Sequence, residues 1–214
     1  DYAPFVARRE IAEHTQTFTR FIEEARRLCD QAAVQQGRPK RLLVRAGASL
    51  EGCASLGIDL EAMIRDEIVD TVLAMPPHKT GIMEQHPAGI AELVAAARDT
   101  KVKIVRGVST TIRHDAFEAA PREMLVAQAA NGYRAGARGT FFSTYYPNGY
   151  PYTDADLGNL RFMGRPELLE RQDKHYAVRQ GPNGTDDTPG DYLQPSPLPA
   201  PLMEGRPGPE QALY

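Results

Sequence analysis

The chain has 214 residues, 42% of them apolar, and a formal net charge of −3. That length suits one α/β domain, and the charge balance excludes a dedicated nucleic-acid binder, which carries a basic face. No apolar run approaches the ~18 residues of a membrane span. The two cysteines, Cys29 and Cys53, lack the close spacing of a metal site or a disulfide framework, so they leave the redox compartment open. The basic run Arg38-Pro39-Lys40-Arg41 reads as a solvated loop ahead of a strand. The chain opens at Asp1 rather than Met, which reads as a processed or truncated start.

In chain order, Arg8 to about Gln36 predicts one long helix. Ile11, Phe18, Phe21, Ile22, Ala25, Leu28, Cys29 and Ala32 trace its apolar face. Gly37 and Pro39 stop it. Leu42-Leu43-Val44 is a buried strand ending at Arg45-Ala46-Gly47, and Ser49 to Gly57 is a loop with a helical turn. Leu60, Met63, Ile64, Ile68 and Val69 recur at helical spacing, and this helix runs directly into the strand Val72-Leu73-Ala74-Met75. A continuous apolar run of this kind fits a parallel strand buried on both faces.

Ile90 to Arg98 is the next helix, followed by the strand Lys101 to Val105, which Arg106-Gly107 closes. A loop then runs to Ala120. Pro121 starts a helix with Leu125, Ala129 and Tyr133 inward and Gly136 or Gly139 as the stop. Thr140 to Tyr146 is a strand rich in β-branched and aromatic residues. A short helix covers Pro166 to Arg171.

Strict alternation of helix and strand implies parallel strands joined by right-handed crossovers. The expected fold is α/β, a partial (β/α)8 TIM barrel of about four βα units spanning residues 1–180. A complete barrel takes about 250 residues. Residues 181–214 are rich in Pro and Gly and read as an extended tail, or as the entry to another domain. No Gly-x-Gly-x-x-Gly follows a strand, which disfavours a Rossmann-type nucleotide binder.

Barrel enzymes work at the C-terminal ends of their strands. That rule selects Arg45 after the first strand, His78, Glu84 and His86 after the second, Arg106, His114, Asp115 and Glu118 after the third, and Ser143, Thr144, Tyr145 and Tyr146 after the fourth. His78, Glu84 and His86 have a spacing that matches no common zinc site. No metal or cofactor is therefore expected. Arg45 and Arg106 are either solvated, bridged to loop carboxylates, or donors to a ligand's hydroxyls or carboxylate.

Four segments together resemble a known family. They are the long helix into Arg41-Leu42-Leu43-Val44-Arg45, the step from Gly57-Ile58-Asp59 to Val69-Asp70, the step from Ala130-Asn131-Gly132-Tyr133 to Phe141-Phe142, and Leu160 through Asp173-Lys174-His175-Tyr176. Their order is similar to the C-terminal half of the catalytic barrel in bacterial family-10-like glycoside hydrolases. The resemblance implies a glycoside hydrolase acting on an oligo- or polysaccharide, in a secreted or periplasmic setting. It implies that the first four strands are absent, with Asp1 left from the carboxylate-bearing end of the fourth. The partner would be the missing half of the barrel or a second copy.

Glycoside hydrolysis generally uses two carboxyl groups. The strand matching the seventh ends at Val105-Arg106-Gly107, without the acid many such barrels place there. Asp115 and Glu118 are the carboxylates left to that loop, and with Asp1 they make up the catalytic candidates. Arg45, His78, Arg106, Ser143, Tyr145 and Tyr146 are the substrate-binding candidates, and Tyr150 and Tyr152 extend the tyrosine cluster. Tyrosines suit sugars because they stack on apolar ring faces while offering a hydroxyl. Arg45, Arg106 and Tyr145 are expected to converge at one mouth. Two further readings stand beside the hydrolase: a non-catalytic glycan-binding barrel, and another barrel enzyme whose reactive groups lie in the missing half.

Overall fold

The computed structural model describes residues 10–75, 88–113, 118–142 and 154–176. A 26-residue helix, α1 (Ile11–Gln36), leads into β1 (Leu43–Gly47), α2 (Leu50–Ala54), α3 (Leu60–Arg65) and β2 (Thr71–Met75). Then come α4 (Ala88–Ala96), β3 (Lys103–Val108), a hairpin of β4 (Thr111–Arg113) and β5 (Glu118–Ala119), and α5 (Arg122–Arg134). The described chain ends with β6 (Thr140–Phe142), α6 (Asp154–Met163) and α7 (Pro166–Leu169). Among the described residues no helix is long and apolar enough to cross a membrane.

Local chemistry sets the boundaries. Gly37, left-handed at φ 62°, ends α1, while its N–H and that of Arg38 donate to Val34 O and Ala33 O. Asp59 caps α3 by accepting from the Ala62 N–H. That helix stops at Arg65, short of the expected Val69. Glu67 turns left-handed at φ 52°, and the Ile68 N–H reaches back to Met63 O. Ile68 and Val69 are thereby released toward the sheet and into its core. Pro121 stands at the N-cap of α5 rather than within its first turn.

The expected strands form one four-stranded sheet in the order β1-β2-β3-β6, and every pairing is parallel. Leu43, Thr71 and Lys103 are in register, as are Arg45, Leu73 and Val105; Ala46, Ala74, Arg106 and Thr140 form another row. Side chains alternate between faces along a strand, so odd-numbered residues of all four strands share one face and even-numbered residues the other.

The even face carries the core. Ala46, Val72, Ala74 and Ile104 pack with Ile22 of α1, Leu60, Met63 and Ile64 of α3, and Ile90 and Leu93 of α4. Val108 packs with Leu125, Val126, Ala129 and Ala130 of α5 and Met163 of α6. On the odd face, Leu43, Leu73, Val105 and Phe141 belong to neither cluster. Leu43 and Lys103 are exposed there, while Leu73 and Val105 are half-buried.

Asp70 ties the N-terminal end of the sheet together. Its carboxylate accepts from the Leu42 N–H and from Arg26 of α1, both at 2.7 Å, and its carbonyl accepts from the Lys103 N–H. Arg26 also donates to Asp30 and to Lys40 O. Asp70→Ala removes both charge-assisted bonds, and with the carboxylate partly exposed a loss of about 1–2 kcal/mol is expected. Asp70→Asn keeps an acceptor for Leu42 and is expected to cost less. Urea denaturation midpoints of the two variants check this ranking.

Candidate functional site

Ligands of parallel α/β sheets bind outside the carboxyl ends of the strands. At that end β1 finishes on Gly47, and α2 follows with Ser49 as its cap, accepting from the Gly52 N–H at 3.1 Å. The Leu50 N–H donates to Glu92 of α4. Cys53 of α2 is fully buried over this end, its Sγ 3.7 Å from Gly47 O.

β3 leaves the sheet through Ser109. Gln128 of α5, itself fully buried, holds that residue from both sides: its Oε1 accepts from the Ser109 N–H and its Nε2 donates to Ser109 O, each at 3.0 Å. Asn131 and Gly132 follow Gln128 one helical turn on. Asn131 is buried, and a Cβ at Gly132 would lie 2.8 Å from both Cβ and Cγ of Arg106. Arg106, Thr110, Gln128 and Asn131 are thus buried polar residues around the junction of β3 and α5.

The two arginines do not converge. Arg45 lies within β1, in register with Leu73 and Val105, and is exposed on the odd face. Arg106 lies within β3 on the even face, 2% exposed beneath α5. Neither stands beyond a strand tip as expected. β1 keeps its pairing with β2 through Gly47–Met75, and β3 keeps its pairing with β6 through Val108–Phe142. Glu118 falls in β5, paired in register with Arg113. Asp1, His78, Glu84, His86, His114, Asp115, Ser143, Thr144, Tyr145, Tyr146, Tyr150 and Tyr152 lie outside the described residues, as does the 181–214 tail.

Gln128 and Asn131 were absent from the sequence-derived candidates. Their signal is two amides set into the otherwise apolar run from Met124 to Ala130 and its continuation. Among the described residues no three His, Cys, Asp or Glu side chains gather as a metal site. No family model matches the chain, and no curated protein is significantly similar to it.

Two outcomes follow from this geometry. Alanine is the better helix former by about 1 kcal/mol, yet Gly132→Ala is expected to destabilise the fold by about 1–3 kcal/mol through overpacking on the Arg106 stem. A double-mutant cycle with Arg106→Ala, which removes the Cγ contact and keeps the Cβ one, should recover only part of that loss in denaturation experiments. Burial pushes the Cys53 thiol up to about 11, and only thiolate reacts readily. Near pH 8 a thiol reagent should therefore titrate the half-buried Cys29 in the native chain and reach Cys53 only after denaturation.

Proposed function

We propose that the described domain is the C-terminal half of a (β/α)8 barrel that acts on glycans, as a glycoside hydrolase of the family-10-like kind. The observation that carries the barrel part is the strictly sequential parallel order with the helical core on one face. A doubly wound sheet reverses its strand order at a switch point and places helices on both faces. Sequential right-handed crossovers keep the helices on one side. On the opposite face Thr71 and Met75 are buried and Leu73 and Val105 half-buried, and closure into a barrel turns that face into a layered interior. Leu73 and Val105 suit such a layer.

The glycan part rests on the resemblance of the four sequence segments. In this reading Arg45 donates to sugar hydroxyls or to a substrate carboxylate. Tyr145 and Tyr146 stack on sugar rings, with His78 and Ser143 as further polar contacts. Asp115 or Glu118 supplies acid–base or electrostatic help, opposite the carboxylate represented by Asp1. Arg106, enclosed beneath α5, supports the strand rather than the sugar.

A non-catalytic glycan-binding barrel is the second reading. It is favoured by the strands as far as they are described: the last described residues of β1, β2, β3 and β6 are Gly47, Met75, Val108 and Phe142, and none of these is a carboxylate. A glycan-binding screen paired with a hydrolysis assay separates the two. Arg45→Ala is expected to weaken binding about tenfold or more, the worth of a charge-assisted hydrogen bond. Asp115→Asn or Glu118→Gln is expected to lower turnover about a hundredfold or more. Binding that survives both carboxyl changes, with no turnover at any stage, selects the second reading. A chain that binds no glycan removes both.

A further inference from the structure

We infer that Gln128 is a positioning residue: its side-chain amide fixes the path of the connection that leaves β3 and returns as α5. In the hydrolase reading above, on which the consequence for catalysis rests, Glu118 is carried by this connection.

A side-chain amide has the donor and the acceptor of a peptide group. Gln128 turns both on one residue, as paired residues of neighbouring antiparallel strands do. Its Oε1 accepts from the Ser109 N–H, and its Nε2 donates to Ser109 O. The grip falls one residue past Val108, the last residue of β3. It joins positions 19 apart in sequence, and the β4–β5 hairpin lies between them. A second tie is nested inside the first. The Ala120 N–H donates to Thr110 O at 2.9 Å, and Thr111 pairs with Ala119 beyond it. Glu118 stands in backbone register with Arg113 on that ladder.

Packing alone does not call for an amide at this position. Met124, Leu125, Val126, Ala127, Ala129 and Ala130 around it on α5 are buried. Methionine forms helices as well as glutamine does and fills irregular apolar gaps, but it would make neither bond to Ser109. The contact of Val108 with Leu125 and Val126 brings α5 close to the strand, and the two bonds of Gln128 select one setting of the helix along it. A reactive group displaced by about 1 Å can lose about a hundredfold in rate. The clamp therefore acts on turnover through Glu118.

Amide hydrogen exchange of the full chain, read residue by residue by NMR, tests this. Gln128→Met is expected to speed exchange at Ser109 about fivefold or more, as loss of one hydrogen bond implies. Ala120 should also exchange faster, while Val72 and Ala74 of β2 keep their wild-type rates. Gln128→Glu keeps an acceptor for the Ser109 N–H and is expected to protect Ser109 better than Gln128→Met does. Burial alone predicts the opposite order, since a buried carboxylate is costlier than a thioether. Unchanged exchange at Ser109 in Gln128→Met, an equal acceleration throughout β2, or better protection by Met than by Glu overturns the inference. Should Gln128→Glu fail to fold, the comparison of Ser109 with β2 in Gln128→Met decides by itself. Glycan turnover measured on the same samples keeps the two readings apart. Gln128→Met should lower kcat about tenfold or more with KM little changed, and an unchanged kcat overturns the role through Glu118. A wild-type chain without turnover removes the hydrolase reading alone, and the exchange rates still decide the clamp.

Discussion

The shared register of the four parallel strands is the constraint on which the rest depends. Because side chains alternate faces at every residue, the pairing of Leu43 with Thr71, and of Thr71 with Lys103, decides the direction of every later side chain in those strands. A slip of one residue would turn Val72, Ala74 and Ile104 away from the helices that cover them. The same register assigns Arg45 and Arg106 to opposite faces. It also accounts for two glycines. At Gly107, on the odd face, a Cβ would fall 2.0 Å from the Met75 sulfur. At Gly132, on α5, it would strike the Arg106 stem. Both positions lack a side chain because the strand residues opposite them are fixed.

Arg106 occupies a particular place in this scheme. Ile104, two residues before it, belongs to the core built by α1, α3 and α4; Val108, two residues after it, belongs to the core built by α5 and α6. The buried polar group around Arg106, Gln128 and Asn131 therefore lies where the two apolar clusters meet. An apolar contact tolerates sliding, whereas the paired hydrogen bonds of Gln128 to both backbone groups of Ser109 hold one position of α5 against β3. On the far side of α5, Tyr133 and Thr140 both donate to Met163 O, which seats α6 on β6. The second cluster is thus located by a few directed bonds, as the N-terminal end of the first is by Arg26 and Asp70.

The type and order of the main elements were legible because each carried its own local signal. Val72 to Met75 is an unbroken apolar run, and Gly37 and Gly136 mark helix stops by adopting the left-handed backbone that glycine accepts at little cost. Strand ends were less legible. In sequence Arg45 and Arg106 interrupt apolar runs and look like the first loop residues, yet pairing with the neighbouring strand continues past both. That pairing is a property of the partner and leaves no local mark. The face of α1 was misjudged for a related reason. Its apolar stripe is wide enough for two seams, and only Ile11, Thr19 and Ile22 are buried against the domain. Phe18, Phe21 and Leu28 are exposed. The β4–β5 hairpin and α6 had too few periodic residues to announce themselves.

The sheet also limits where chemistry can come from. On the odd face its described charged side chains are Arg45 and Lys103, two cations, and Lys103 sits one layer further from the carboxyl ends, in register with Leu43 and Thr71. A sheet so furnished presents cationic hydrogen-bond donors. The connection after β3 is anchored near its start by Gln128 at Ser109 and near its end by the Ala120 N–H on Thr110 O. Between these anchors it folds back as a hairpin and returns Glu118 opposite Arg113. A connection anchored in this way loses less entropy on binding than a free one.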